Sequence, residues 1–245
     1  MRSLSDGRIL KKWDLGLGWF CAASRLSGNG KYLAFRVMEN LDRRTPGFSF
    51  EKPRLRVGLL GPDRDKLIWA PTLVGTRIGA FGTVRGAIPS DDGAYVVVAG
   101  YENGAALLDV KNQKVLWGMK PDEEITIADA AFTPDNALLY MGGNLGCVWG
   151  VEVATGKVVS QWWPTGPQRP GAGPRISVVT VSGDGRFVAA SVGPDVYVWK
   201  AKTGERVSVL KHGRGPLLIV SFSPDSKALA SYAAGRLKVW RMPSN

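Results

Sequence analysis

Short apolar runs, four to eight residues long, are separated by Gly, Asp, Asn, Ser and Pro throughout the chain, and no segment sustains a helical period. The alternation predicts strands at 20–27, 31–37, 54–60 and 66–71, then 83–89, 94–100, 105–110 and 114–118. It predicts further strands at 125–132, 137–143, 147–153 and 157–163, then 175–182, 187–192, 196–201 and 205–210, and finally 217–223, 227–233 and 236–242. Runs such as Tyr95-Val96-Val97-Val98 and Leu217-Leu218-Ile219-Val220 are continuously apolar, which suits strands covered on both faces. Asp92-Gly93 and Asp184-Gly185 supply residues that tolerate positive φ in tight turns, and Thr155-Gly156, Thr203-Gly204 and Asp6-Gly7 form a second turn class.

The strands group into one repeated unit. Its turn-plus-strand cores read SGNGKYLAFRV (27–37), PSDDGAYVVVAG (89–100), TPDNALLYMGG (133–143), SGDGRFVAASV (182–192) and SPDSKALASYA (223–233). The marker residues Asn29, Asp92, Asp135, Asp184 and Asp225 are 63, 43, 49 and 41 residues apart. A four-stranded propeller blade takes about 40–45 residues, and the two wider gaps hold insertions at 38–53 and 164–175. The last unit stops after its third strand, while DGRILKKWDL (6–15) at the other end reads as the missing fourth. The expectation is an all-β, five-bladed β-propeller of four-stranded antiparallel blades, its ring closed by the N-terminal strand joining the C-terminal blade. That makes 1–245 a single domain, with blades at about 20–72, 82–119, 125–163, 175–210 and 216–242 plus 7–14. A fragment of a larger multi-blade propeller protein with another domain is the rival.

FSPDSKALASYAAGRLKVWRM (222–242) and VSGDGRFVAASVGPDVYVWKAKTGERV (181–207) resemble blades of the WD-repeat β-propeller family. The resemblance extends over nearly the whole chain and is weakest in the first blade. Trp149, Trp199 and Trp240 match the tryptophan that ends the family's third strand. They are followed by Gly150, Lys200 and Arg241, so the Trp-Asp pair is absent there. The family's aspartate between the second and third strands is replaced by Ala234-Gly235, Gly193-Pro194 and Gly143-Asn144, and the hydrogen-bonded tetrad that braces many such blades should not form in its usual way. The resemblance also implies that connections between second and third strands, and between successive blades, share one face of a disc.

Charge sharpens the picture. The net charge of +11 divides into +8 for residues 1–80, −5 for 81–165 and +8 for 166–245. In a closed ring the two basic thirds are neighbours and merge into a basic arc, a field that would steer an acidic partner. Solvated strand faces that keep the protein soluble are the plainer account. No apolar run reaches the about 20 residues of a membrane span, and MRSLSDGRILKKW lacks the apolar stretch of a secretory signal, so a cytoplasmic location is expected. Cys21 and Cys147 fall in different repeats and read as buried thiols. One histidine and two cysteines, scattered over three blades, give no zinc pattern, and no Gly-x-Ser-x-Gly elbow accompanies His212. Asp122-Glu123-Glu124 reads as a solvated loop and most of the nine tryptophans as inter-blade core. No cofactor is expected.

These features favour a non-enzymatic protein-interaction scaffold, a monomer or part of a larger complex, presenting loops 38–53 and 164–175 to a protein or peptide with an acidic surface. Arg43, Arg44, Phe48, Phe50, Arg169 and Arg175 are the candidate contacts, with Arg85, His212 and Arg214 expected nearby. Arg and aromatic residues are the types enriched at binding hot spots. Insertions without a role are the alternative for the same loops. Binding of nucleic acid or another anionic surface through the same arc ranks below the protein partner, because no RNA-binding motif is present. An enzyme working in the central channel would need converging acids, bases or metals, of which the sequence shows few.

Overall fold

A computed structural model describes residues 19–39, 55–62, 67–69, 86–101, 104–119, 126–166, 174–213, 215, 217 and 219–243. All regular structure among them is strand. The first blade holds β1 (Trp19–Leu26), β2 (Leu33–Glu39), β3 (Leu55–Leu60) and β4 (Leu67–Trp69). The second holds β5 (Gly86–Pro89), β6 (Tyr95–Tyr101), β7 (Gly104–Asp109) and β8 (Lys114–Met119). β9 (Ile127–Phe132), β10 (Leu138–Gly143), β11 (Val148–Glu152) and β12 (Val158–Trp162) make the third. β13 (Ile176–Val181), β14 (Phe187–Val192), β15 (Asp195–Lys200) and β16 (Arg206–Lys211) make the fourth, and β17 (Ile219–Phe222), β18 (Ala228–Ala233) and β19 (Arg236–Arg241) belong to the fifth. Each blade is an antiparallel meander in chain order, so the molecule is a five-bladed β-propeller. The segment 7–14, read as the closing strand, lies outside the described residues.

Apolar packing between blades forms the core, as the continuously apolar runs require. Val57 and Leu59 of blade 1 pack on Val96, Val98 and Leu108 of blade 2. Val97 and Leu107 of blade 2 meet Met141 and Val151 of blade 3. Tyr140 and Val148 of blade 3 meet Ile176, Val188 and Trp199 of blade 4. Val196 and Val198 of blade 4 meet Val220 and Leu229 of blade 5. Among the described residues no such cluster joins blade 5 to blade 1. On β19, Leu237 and Val239, which occupy the places of Val196 and Val198 on β15, each remain 67% exposed.

Two tryptophans on outer strands add a second contact between blades. The Trp117 indole donates to the Val153 carbonyl (2.8 Å) and lies against Gly156, and Trp162 lies against Gly204. A Cβ at Gly204 would stand 2.3 Å from Trp162 Nε1, and φ there is +71°, so the Thr-Gly turn needs glycine for both reasons. Trp162 is itself flanked by Tyr140 and Trp199, with centroid distances of 5.0 and 6.1 Å. One sequence alignment needs correction. Trp199 and Trp240 pair with Val188 and Leu229, but the corresponding partner in blade 3, Leu139, faces Val151. Trp149 therefore sits two residues earlier than the third-strand tryptophan of the other blades and is buried against blade 2.

Candidate functional site: the loop end and the axial cavity

The scaffold begins with a turn that all five blades build alike. A hydroxyl, from Ser27, Ser90, Thr133, Ser182 or Ser223, donates to the side-chain oxygen two residues on, in Asn29, Asp92, Asp135, Asp184 or Asp225, at 2.5–2.8 Å. That oxygen accepts a backbone N–H two residues further, at 2.9–3.1 Å. The hydroxyl oxygen in turn accepts the N–H that opens the next strand, at 2.9–3.1 Å. Each turn hydroxyl thus both donates and accepts a hydrogen bond, as it must where it is buried. The Thr133 hydroxyl and the Ala137 N–H hold the Asp135 carboxyl below its ordinary value, and Ser223 and the Lys227 N–H do the same for Asp225. Neighbouring turns are also tied together. Asn29 donates its N–H to Asp91 Oδ1 (2.9 Å), Asp91 its N–H to Asn136 Oδ1 (3.0 Å), and Asp184 its N–H to Ser226 Oγ (3.1 Å).

The inner strands of all five blades wall an axial cavity of about 840 Å³, and these turns rim one mouth of it. Leu26, Val178, Ile219 and Phe222 give the wall an apolar character. Among its polar lining residues is Asp129 on β9, fully buried. One carboxylate oxygen accepts a guanidinium N–H from Arg25 of blade 1, and the other accepts the Val179 N–H of blade 4 at 2.9 Å. Burial pushes the Asp129 carboxyl up, with Arg25 and the Val179 N–H pulling the other way. The sequence reading passes over Asp129, although a lone carboxylate inside the apolar strand IADAAF is a usable signal. Among the described residues no group of three or more His, Cys, Asp or Glu side chains could hold a metal ion. The Cys147 thiol is buried, and desolvation pushes it up to about 11.

Strand direction places the β2–β3 connection and the β12–β13 connection at the end of the blades opposite those turns. Of the predicted contacts, Arg175 precedes β13 at that end and is exposed. His212, which follows β16, is buried rather than presented to solvent. Its Nδ1 stands 2.9 Å from Ser231 Oγ, which also accepts the Trp240 indole N–H at 2.9 Å. Three members of a side-chain brace are therefore present in blade 5, although the sequence predicts no brace of the usual kind. The fourth is missing, since the position holds Ala234, and among the described residues His212 Nε2 is buried without a partner. Arg43, Arg44, Phe48, Phe50, Arg85, Arg169 and Arg214 lie outside the described residues.

No family model matches the chain. Over 170 residues it is 25% identical to an uncharacterized WD repeat-containing protein of Synechocystis sp., a stretch covering 68% of this chain and 46% of that relative. Over 75 residues it is 35% identical to WD repeat-containing protein 1 of Gallus gallus, covering 29% of this chain and 12% of the relative. The chain spans less than half the length of these curated relatives. The five repeated sheets and the two relatives together support a WD-repeat β-propeller family. No helix among the described residues is long and apolar enough to cross a membrane.

Proposed function

We propose that the chain is a non-enzymatic interaction scaffold in the cytoplasm whose loop end recognises an acidic protein or peptide surface. The observation that carries this reading is strand direction: β2 ends and β3 begins, and β12 ends and β13 begins, at one end of a frame whose five turns share one hydrogen-bonding pattern. Functional residues gather on loops supported in this way. Exposed Arg175 borders the second connection, and Arg43, Arg44, Phe48, Phe50 and Arg169 belong to the insertions themselves. The two WD-repeat relatives agree with a scaffold role. We further propose that 1–245 is one domain, with 7–14 pairing beside β19 as the fourth strand of the last blade.

A labelled poly-glutamate peptide and a generic single-stranded RNA serve as probes in fluorescence anisotropy. The peptide should bind the full chain, and charge reversal of Arg43 and Arg44 together should weaken it by about tenfold or more. RNA binding whose affinity falls steeply with salt, with no peptide binding, would replace the reading with an anionic-polymer one. Unchanged peptide affinity after the reversal removes the assigned contacts.

A further inference from the structure

We infer that the Arg25–Asp129 pair is an acid-released clamp that fastens the first blade to the ring from across the second. Blade 1 is attached on one side by the apolar seam with blade 2 and by the Asn29–Asp91 bonds. On its other side the described residues form no comparable seam. Arg25 reaches past β5, which is only four residues long, to Asp129 in blade 3. The second carboxylate oxygen is held by Val179 of blade 4, so the anchor point belongs to a frame that does not depend on blade 1.

Among the described residues one cation, Arg25, acts on that carboxylate. β5 reads GAIP and β13 reads ISVVTV, without a charge. β6 and β10 bring the titratable residues Tyr95 and Tyr140, the latter donating its hydroxyl to the Ala201 carbonyl. Among the described residues Arg25 is the charged group facing Asp129, and it keeps 30% of its side chain exposed. Buried ion pairs contribute little net stability, yet they fix geometry while both charges persist. Protonating Asp129 ends the attraction and frees Arg25 toward the cavity.

The sign follows from linkage. Because burial raises the folded-state value of Asp129, the fold binds more protons than the unfolded chain between the two values. Global stability from this group therefore falls as pH rises through that window, while the clamp engages. An ordinary structural ion pair would move both in the same direction.

Hydrogen exchange on the full chain tests this, comparing β1 and β2 amides with β14 and β15 as reference, in the wild type and in Asp129→Asn. At about pH 7 the variant should exchange its β1 and β2 amides at least about tenfold faster, with the reference strands unchanged and the melting temperature equal or higher. Lowering the wild type to about pH 4 should bring its β1 and β2 protection down to the variant's, after correction for intrinsic rates. Equal protection in the two proteins at neutral pH, or loosening spread evenly over all blades, overturns the clamp. If Asp129→Asn does not fold, the wild type decides alone: β1 and β2 protection that is flat across the same pH range overturns it too.

Discussion

Ala234→Asp should stabilise the protein, an uncommon direction for a point substitution. Ala234 occupies the turn between β18 and β19 at φ +46°, a region costly for residues other than Gly, Asn and Asp. The turn touches the loop after His212, since a Cβ on Gly215 would stand 3.4 Å from the Ala234 Cβ. Within that corner His212 Nε2 is buried and unpartnered, while Nδ1 is engaged by Ser231. A buried donor left unsatisfied costs about 1–3 kcal/mol. Relief of backbone strain adds up to about 1 kcal/mol, and desolvating the new carboxylate takes part of the gain back. The net expectation is about 1–2 kcal/mol, which raises Tm by about 2–8 °C in a domain of this size. Calorimetry on Ala234→Asp, Ala234→Gly and each of these in a His212→Ala background separates the contributions, because glycine relieves only the backbone. Asp should exceed Gly, and the excess should vanish without His212. An aspartate no better than glycine, or an excess that survives His212→Ala, refutes the missing-acceptor reasoning.

Gly204→Ala should lower stability by about 3 kcal/mol or more, because it adds overlap with Trp162 to backbone strain. Gly30→Ala has the same φ of +71° but open space around its Cβ, and should cost only about 1 kcal/mol by urea unfolding. The turn carboxylates Asp135 and Asp225 have folded values below the unfolded one, so their stabilisation is complete above about pH 4 and is lost as pH falls through the folded values. Urea midpoints should therefore drop on acidification in that range, and less steeply in Asp135→Asn. Ser182→Ala removes a hydroxyl that donates to Asp184 and accepts from the Phe187 N–H, and should lower stability by about 2 kcal/mol.

Most of the strand order was legible because a strand announces itself locally. Alternation and turn residues place β14 at 187–192 in sequence and structure alike, and the other strands fall within three residues of their predicted bounds. The hydroxyl two residues ahead of each turn carboxylate was equally visible, and its role becomes clear only when the bonds are seen together. His212 reads as a surface loop residue because sequence does not show which loop residues fold inward. Trp149 is misaligned because its blade carries Val151 at the expected position, and a tryptophan is the more conspicuous marker.

The sequence by itself determined the repeat, the blade count and the turns, while the shared end of the long connections came from the family resemblance. The repeat, the count and the turns depend on interactions within a few residues or within one meander. Only the tertiary structure decided that Arg25 meets Asp129 104 residues away, that Trp162 backs Gly204, and that His212 completes three parts of a brace. Alternation assigns a side chain to one face of its sheet, but what stands opposite is set by the adjoining blade. That choice depends on packing between sheets, for which distance along the chain carries no information.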